Sequence, residues 1–195
     1  NGCTTSSDDI NIDFTSSWTG NINTDWNNTG NWCGNIVPSG IFDLALSSGL
    51  PNYPVITGDI VINDLGVAAG AAITINNNAS ITIKGNYFNS GMLTNNGSMI
   101  LNGSSQQNFP GSTATVTAMK NLEVDNTSGV IINQSFSISG MLTSTNGTLY
   151  LIDKTITLTS NAGGTARVAP VGGGFNYTGG GKFVVERYIP AKRAW

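Results

Sequence analysis

The sequence predicts an all-β chain folded as a parallel β-helix-like solenoid with an N-terminal Trp-rich cap, and three observations carry that prediction. Asn, Gly, Ser and Thr supply 91 of the 195 residues, and only 10% of residues are charged. Ordinary globular domains are about one quarter charged, so turn-forming and β-branched residues here stand where helix formers would be. A chain that is 39% hydrophobic with a formal charge of −3 is outside the disordered class. Second, short apolar runs recur between turn residues. Third, part of the pattern repeats within the chain.

The runs cover 41–46, 53–56, 60–65, 72–75, 81–83, 98–101, 122–124, 129–132, 136–138, 148–151 and 155–158. Spacings of roughly eight to ten residues with turn signals between them mean many short strands. Alternation such as Ile73-Thr74-Ile75, Ile81-Thr82-Ile83 and Thr155-Ile156-Thr157-Leu158 turns one face inward and a hydroxyl face outward. No helix of convincing length and period is present.

The repeat relates Leu65-x-Val67, Ala72-Ile73 and Ile81-x-Ile83-x-Gly85 to Leu122-x-Val124, Val130-Ile131 and Phe136-x-Ile138-x-Gly140, at an offset of 57 falling to 55. Gly91-Met92-Leu93-Thr94, followed by Asn96-Gly97-Ser98-Met99, likewise matches Gly140-Met141-Leu142-Thr143, followed by Asn146-Gly147-Thr148-Leu149. A unit that cannot bury its apolar face alone stacks on its neighbours, and a unit of two or three coils is expected. Asn-Gly pairs also mark β-hairpins, so the alternative is an antiparallel β-sandwich.

Three parts are expected. Residues 1–40, with Trp18, Trp26 and Trp32 among turn residues, form a cap; 41–181 form the solenoid; 182–195 begin a following domain. Solenoid ends expose unpaired backbone, and natural solenoids cover them, which is the role expected of the cap. The longest apolar stretch, 66–75, is far below the roughly 18 residues that cross a bilayer. The chain begins at Asn1 without a charged-then-apolar leader, so a signal peptide is expected to lie outside this sequence.

Residues 1–83 hold seven Asp and no Lys or Arg, a charge of −7, and the remainder carries +4. An acidic first half and scattered basic residues give no phosphate-tracking patch, so nucleic acid is not an expected partner. Two cysteines, Cys3 and Cys33, are expected to pair. Closing that loop contributes roughly 3 to 4 kcal/mol in the chain-entropy model and implies an oxidising compartment; the alternative is two small unpaired core residues. With no His in the chain, two Cys cannot complete a four-ligand zinc site.

The stretches Trp18-Thr19-Gly20, Asp25-Trp26-Asn27, Asn31-Trp32, Val37-Pro38 and Tyr53-Pro54-Val55-Ile56, then Leu65 with Ala71-Ala72-Ile73-Thr74-Ile75, resemble the N-terminal pattern of large secreted surface proteins of the Bacteroidetes. The closing Val185-Glu186-Arg187-Tyr188-Ile189-Pro190-Ala191-Lys192-Arg193-Ala194-Trp195 resembles the segment that ends the repeat region in the same proteins. The resemblance implies a long exoprotein or adhesin, extracellular or on the outer cell surface. It also implies export by the type 9 secretion system through a C-terminal sorting domain outside this sequence. Cys33 departs from the Ser of that pattern.

Zero His removes Ser-His-Asp and Cys-His catalysis. The carboxylates Glu123 and Asp125 flank an inward Val124 and are expected about 7 Å apart on one strand face, inside the window of inverting glycosidases. A solvated outer face is the plainer reading, and a non-enzymatic structural stalk or adhesin is the expected function. The alternative is a polysaccharide-binding module or the non-catalytic part of a polysaccharide-degrading enzyme. Its sugar-stacking candidates are Trp18, Trp26 and Trp32, which serve equally as an apolar plug. Outward Thr74, Thr82, Thr115, Thr117, Thr155, Thr157 and Thr159 form rows too irregular for an ice-binding plane and fit β-propensity on a solvated face.

The run Asp8-Asp9-Ile10-Asn11-Ile12-Asp13 supplies oxygen ligands, so calcium on Asp8, Asp9 and Asp13 is the one cofactor expected, although the Gly and Glu of a defined calcium loop are missing. Calcium there makes the melting temperature fall when chelator is added; an unchanged thermal transition removes it.

Overall fold

The computed structural model describes residues 15–38, 42–110 and 118–190. The expected solenoid is observed. Parallel strands stack in about five turns around one apolar core. Every turn has three faces, because each apolar-x-apolar run supplies one short strand and each Asn/Gly-rich stretch supplies one corner.

The first face stacks Thr15–Ser17, Asp43–Leu46, Leu65–Val67 and Tyr87–Asn89 as one parallel sheet. Gln107–Phe109, Val130–Ile132, Thr148–Ile152 and Gly174–Thr178 form the next. The second face runs from Val55–Ile56 through Ala72–Ile75 to Thr155–Leu158 and Lys182–Val185. The third holds Asp59–Ile62, Ser80–Ile83 and Met141–Asn146. Met92–Leu101 and Ala118–Asp125 continue around the corner between the second and third faces, joining them into one 11-stranded sheet.

Alternation places Leu44, Leu65, Ile73, Ile81, Met99, Leu122, Val130, Leu149 and Ile156 inside, all essentially solvent-free. Each such side chain contributes roughly 1.5–3 kcal/mol by leaving water. Like stacks on like from coil to coil: Tyr87 lies on Phe109 with ring centroids 5.3 Å apart, and Phe109 meets Phe136 edge-on at 5.6 Å. Burial pushes the Tyr87 phenol well above the usual tyrosine range, so it stays neutral in the core.

The corners bury polar groups, and amides satisfy them. Asn95 Oδ1 accepts the Gly97 N–H at 3.0 Å, Asn89 Oδ1 that of Gly91 at 2.9 Å, and Asn126 Oδ1 that of Ser128 at 2.8 Å. Buried Gln107 ties three coils together. Its Nε2 donates to the Ile83 carbonyl at 3.0 Å and also to that of Gly85, while its Oε1 accepts from Gly103 N and Asn126 Nδ2. A buried backbone group without a partner would cost as much as a lost hydrogen bond, which is why Asn and Gln stand here rather than Leu.

Three sequence expectations are corrected. The offset of 55–57 residues is not a whole number of coils. Leu65 lies on the first face but Leu122 on the third, Ile73 on the second but Ile131 on the first, and Ile81 on the third but Phe136 on the second. The repeat thus advances two turns and two further faces, because all three faces ask for the same apolar-x-apolar strand and narrow corner. Lys182–Val185, expected to open a following domain, is a solenoid strand in parallel register on Thr155–Leu158, with Phe183 packed against the core. Nor does the described part of the cap stand apart: Thr15–Ser17 pairs with Asp43–Leu46 and Asp25 bridges Val55, so it forms an irregular first coil.

Gly97 lies where neighbouring coils approach closely, since a Cβ there would meet the Ala79 and Asn76 carbonyl oxygens; Gly49 (φ 75°) has open space around it. Gly49→Ala is expected to cost about 1–2 kcal/mol of left-handed strain. Gly97→Ala is expected to cost about 3 kcal/mol or more, because backbone must move. Urea midpoints of the two variants decide the order.

Candidate functional site

The cap shows how the sequence seals one end of the core. Trp18, Trp26 and Trp32 are buried and packed on one another, with Trp18–Trp32 and Trp26–Trp32 edge-on at 4.9 and 4.7 Å. Trp18 Nε1 donates to the Asn52 carbonyl at 2.7 Å and Trp32 Nε1 to that of Trp26 at 2.7 Å. Buried Asn31 gathers the loop by accepting from Ile22 N and Asn23 N and donating to Asn23 Oδ1 and the Asp25 carbonyl. The three indoles therefore offer no ring face for a sugar to stack on; the plug is the role their burial supports. Cys33 is not a free thiol, and Cys3 lies outside the described residues, as do Asp8, Asp9 and Asp13.

Carboxylates take structural positions. Asp43 Oδ1 accepts from Asn63 Nδ2 at 2.7 Å, Asp59 Oδ1 from Ser80 Oγ at 2.7 Å, and Asp64 Oδ1 from Asn86 N at 2.6 Å. Glu123 Oε1 accepts from Thr145 Oγ1 at 2.5 Å, and Asp125 accepts from Asn102 Nδ2 at 2.7 Å and Asn146 Nδ2 at 2.6 Å. Asp153 and Glu186 accept backbone N–H groups of Gly180 and Ser160. Among the described residues, Asp25 alone is bound locally, by Asn27 N; every other carboxylate ties one coil to the next. Glu123 and Asp125 do share an outer face, as expected, and there they act as struts between rungs.

A concavity lies at the corner between the second and third faces, a cleft of about 220 Å³ lined by Asp59, Asn78, Ser80, Asn96, Ser98 and Lys120 together with Gly97 and Asn121. Strand register makes it a ladder: Asp59 pairs with Ser80, Ser80 with Ser98 and Ser98 with Asn121, one residue per coil. Asn121 is fully engaged, donating to the Gly97 carbonyl and Ser98 Oγ and accepting from Met141 N. Lys120 Nζ reaches back across two coils to Asn77 Oδ1 at 2.7 Å. The Asn78 and Asn96 side chains are exposed at the rim. The result is a polar groove with amides and hydroxyls along it, a carboxylate at one end and an ammonium at the other.

No protein-family model, curated protein or solved structure matches this chain. The cleft was not singled out from the sequence. Its only signal is the pair of Asn-rich runs Asn76-Asn77-Asn78 and Asn95-Asn96-Gly97 one coil apart, which look like turn residues until Lys120 and Asp59 are folded beside them.

The threonine rows break up as anticipated. Thr74 faces Thr94, but Thr82 lies between Val61 and Ile100, and Thr157 between Ser137 and Val184; Thr115 and Thr117 lie outside the described residues. Among the described residues no group of three His, Cys, Asp or Glu could hold a metal ion, and no helix is long and apolar enough to cross a membrane.

Asp125→Ala removes two inter-coil bonds at once and is expected to lower the unfolding free energy by about 1–3 kcal/mol. Asp125→Asn, which keeps an acceptor, should recover part of that loss in the same denaturation experiment.

Proposed function

We propose that the chain is a non-enzymatic, extracellular β-solenoid segment of a secreted or cell-surface exoprotein, acting as a rigid stalk or adhesin. The observation that carries this reading is the use of carboxylates. In a chain without His the commonest general base is missing, and the described Asp and Glu, Asp25 apart, are bound between coils. In this reading a Cys3–Cys33 disulfide closes the cap, calcium on Asp8, Asp9 and Asp13 orders the chain ahead of it, and the type 9 machinery exports the whole through a C-terminal sorting domain.

Incubating the purified chain with a panel of polysaccharides is expected to release no new reducing ends and no unsaturated products. Release that disappears in Glu123→Gln or Asp125→Asn, with the variant still folded, would make the chain an enzyme instead.

The corner cleft favours a second reading, a polysaccharide-binding module. Amides and hydroxyls both donate and accept, as sugar hydroxyls do, and the ladder repeats every coil, roughly 4.8 Å. On a glycan array this reading expects saturable binding that Asn96→Ala and Lys120→Ala reduce at least tenfold. Silence from the folded chain removes it and leaves the stalk.

A further inference from the structure

Asn-Gly pairs carry a reaction of their own. The backbone nitrogen of the glycine can attack the side-chain amide carbon of the asparagine before it, because a glycine has no Cβ to obstruct the approach. A bond forms between that nitrogen and the amide carbon, the bond from the carbon to the side-chain nitrogen breaks, and the nitrogen leaves as ammonia with the backbone proton. Water then opens the succinimide ring at one of its two carbonyls. The product is aspartate, or isoaspartate with the chain rerouted through the side chain. One water enters and one ammonia departs, so no oxidant, cofactor or second protein is needed.

The described residues contain three such pairs at corners, Asn96-Gly97, Asn102-Gly103 and Asn146-Gly147, and their glycine N–H groups are not equivalent. Gly97 N donates to Asn95 Oδ1 at 3.0 Å and Gly103 N to Gln107 Oε1 at 3.0 Å, and both acceptor residues are buried. A nitrogen whose proton is held by an inner acceptor is turned away from the asparagine carbon and shielded from solvent base. The Asn102 amide is fixed as well, since its Nδ2 donates to the Asp125 carbonyl at 3.2 Å and to Asp125 Oδ2 at 2.7 Å.

Gly147 differs. Its carbonyl is engaged, accepting from Gly174 N at 2.9 Å and Ser144 Oγ at 3.3 Å, but its N–H has no acceptor among the described residues. The reason lies in the register. Asn146 ends the strand Met141–Asn146, Thr148 begins the next, and the ladder to the coil below slips between Val124 and Asp125, so Gly147 falls in the gap. Asn146 itself is exposed.

The place of this pair gives the reaction a consequence. Asn146 Nδ2 donates to Asp125 Oδ1 at 2.6 Å, one of the two bonds by which that carboxylate ties successive coils. Replacing the amide nitrogen by a carboxylate oxygen removes the donor and sets two negative groups against each other. Isoaspartate also lengthens the backbone by one methylene where the Asn146 carbonyl accepts from Asn126 N below and Gly147 accepts from Gly174 N above.

We propose that Asn146 is a self-modification site of the folded chain: Gly147 N converts it to aspartate or isoaspartate, and the conversion cuts the Asp125 strut between coils. The reaction needs no ligand and is independent of whether the chain is a stalk or a binding module.

Peptide mapping by mass spectrometry of the folded wild-type chain, aged in mildly alkaline buffer, tests this. The Asn146 peptide should gain the amide-to-acid mass increment first and give a positive isoaspartate assay. Asn96 and Asn102 should lag by about fivefold or more, the factor that one hydrogen bond on the attacking nitrogen is worth. In strong urea the three pairs should react at similar rates, which shows that the fold makes the selection. An Asn146 that keeps its amide in the folded chain while reacting in urea overturns the proposal, and so does earlier conversion of Asn96 or Asn102. The consequence is read separately from Asn146→Asp, whose urea midpoint should fall below that of the wild type and recover in part when salt screens the facing carboxylates. A midpoint equal to the wild type overturns the cutting of the strut.

Discussion

The rest of this structure depends on the backbone pairing between one coil and the next. In a solenoid no strand closes its hydrogen bonds within its own turn. Phe136–Ile138 needs Ala118–Asp125 below it and Thr155–Leu158 above it before its ladder is complete. That single requirement fixes the spacing of coils, and the spacing dictates which side chains are tolerated where. Inside, residues one coil apart sit at about 4.8 Å, so apolar side chains must stack in file. At the corners, carbonyls of successive turns crowd together, so Gly97 has no room for a Cβ and buried Asn95 and Asn126 close the turns.

The same spacing explains the use of the few charges. A carboxylate on the outer surface can reach a donor one rung away without bending the strand, and Asp125 reaches one on each side. Such bonds to exposed groups are individually modest, about 1 kcal/mol or a little more. Distributed along the shaft they oppose sliding of one coil on another, a motion that core packing alone resists weakly because every coil offers its neighbours a similar apolar surface.

What the sequence revealed and what it concealed follow from the same physics. Strands such as Ile73-Thr74-Ile75 were legible because burial on one face writes itself as a period of two. The solenoid was legible because turn and apolar positions recur together. The coil length was not, since a strand on any face makes the same local demand and the strongest self-match, Gly91–Met99 on Gly140–Leu149, crosses from one face to another. Lys182–Val185 was set apart by its charge and its Val pair, yet Phe183 and Val185 fall on the inward side and the strand adds to the stack. The three tryptophans were visible as a cluster, but whether an indole plugs a core or faces a sugar depends on what Asn52 and Asn31 do with the loops around it, and those contacts span 34 residues in the first case. The corner cleft was the least legible feature. Its charged residues, Asp59 and Lys120, are three coils apart, and only register brings them to one groove.

Stability and recognition are therefore carried by different atoms of the same corners. Asn121 spends its amide on Gly97, Ser98 and Met141 and is part of the frame. Asn78 and Asn96, one coil apart on the rim, are both exposed; Asn96 can be exchanged without disturbing any inward side chain, whereas Asn78 (φ 63°) holds a left-handed turn that favours Asn or Gly. A scaffold in which each turn repeats the same backbone but leaves its outer corner residues uncommitted can change what it binds coil by coil while the core and its inter-coil struts remain as they are. Long insertions are tolerated at such corners for the same reason, because a loop there interrupts no ladder. Function on this fold is thus expected on the corners and the ends, where backbone pairing makes no claim on the side chain, and not on the faces, where every second residue belongs to the core.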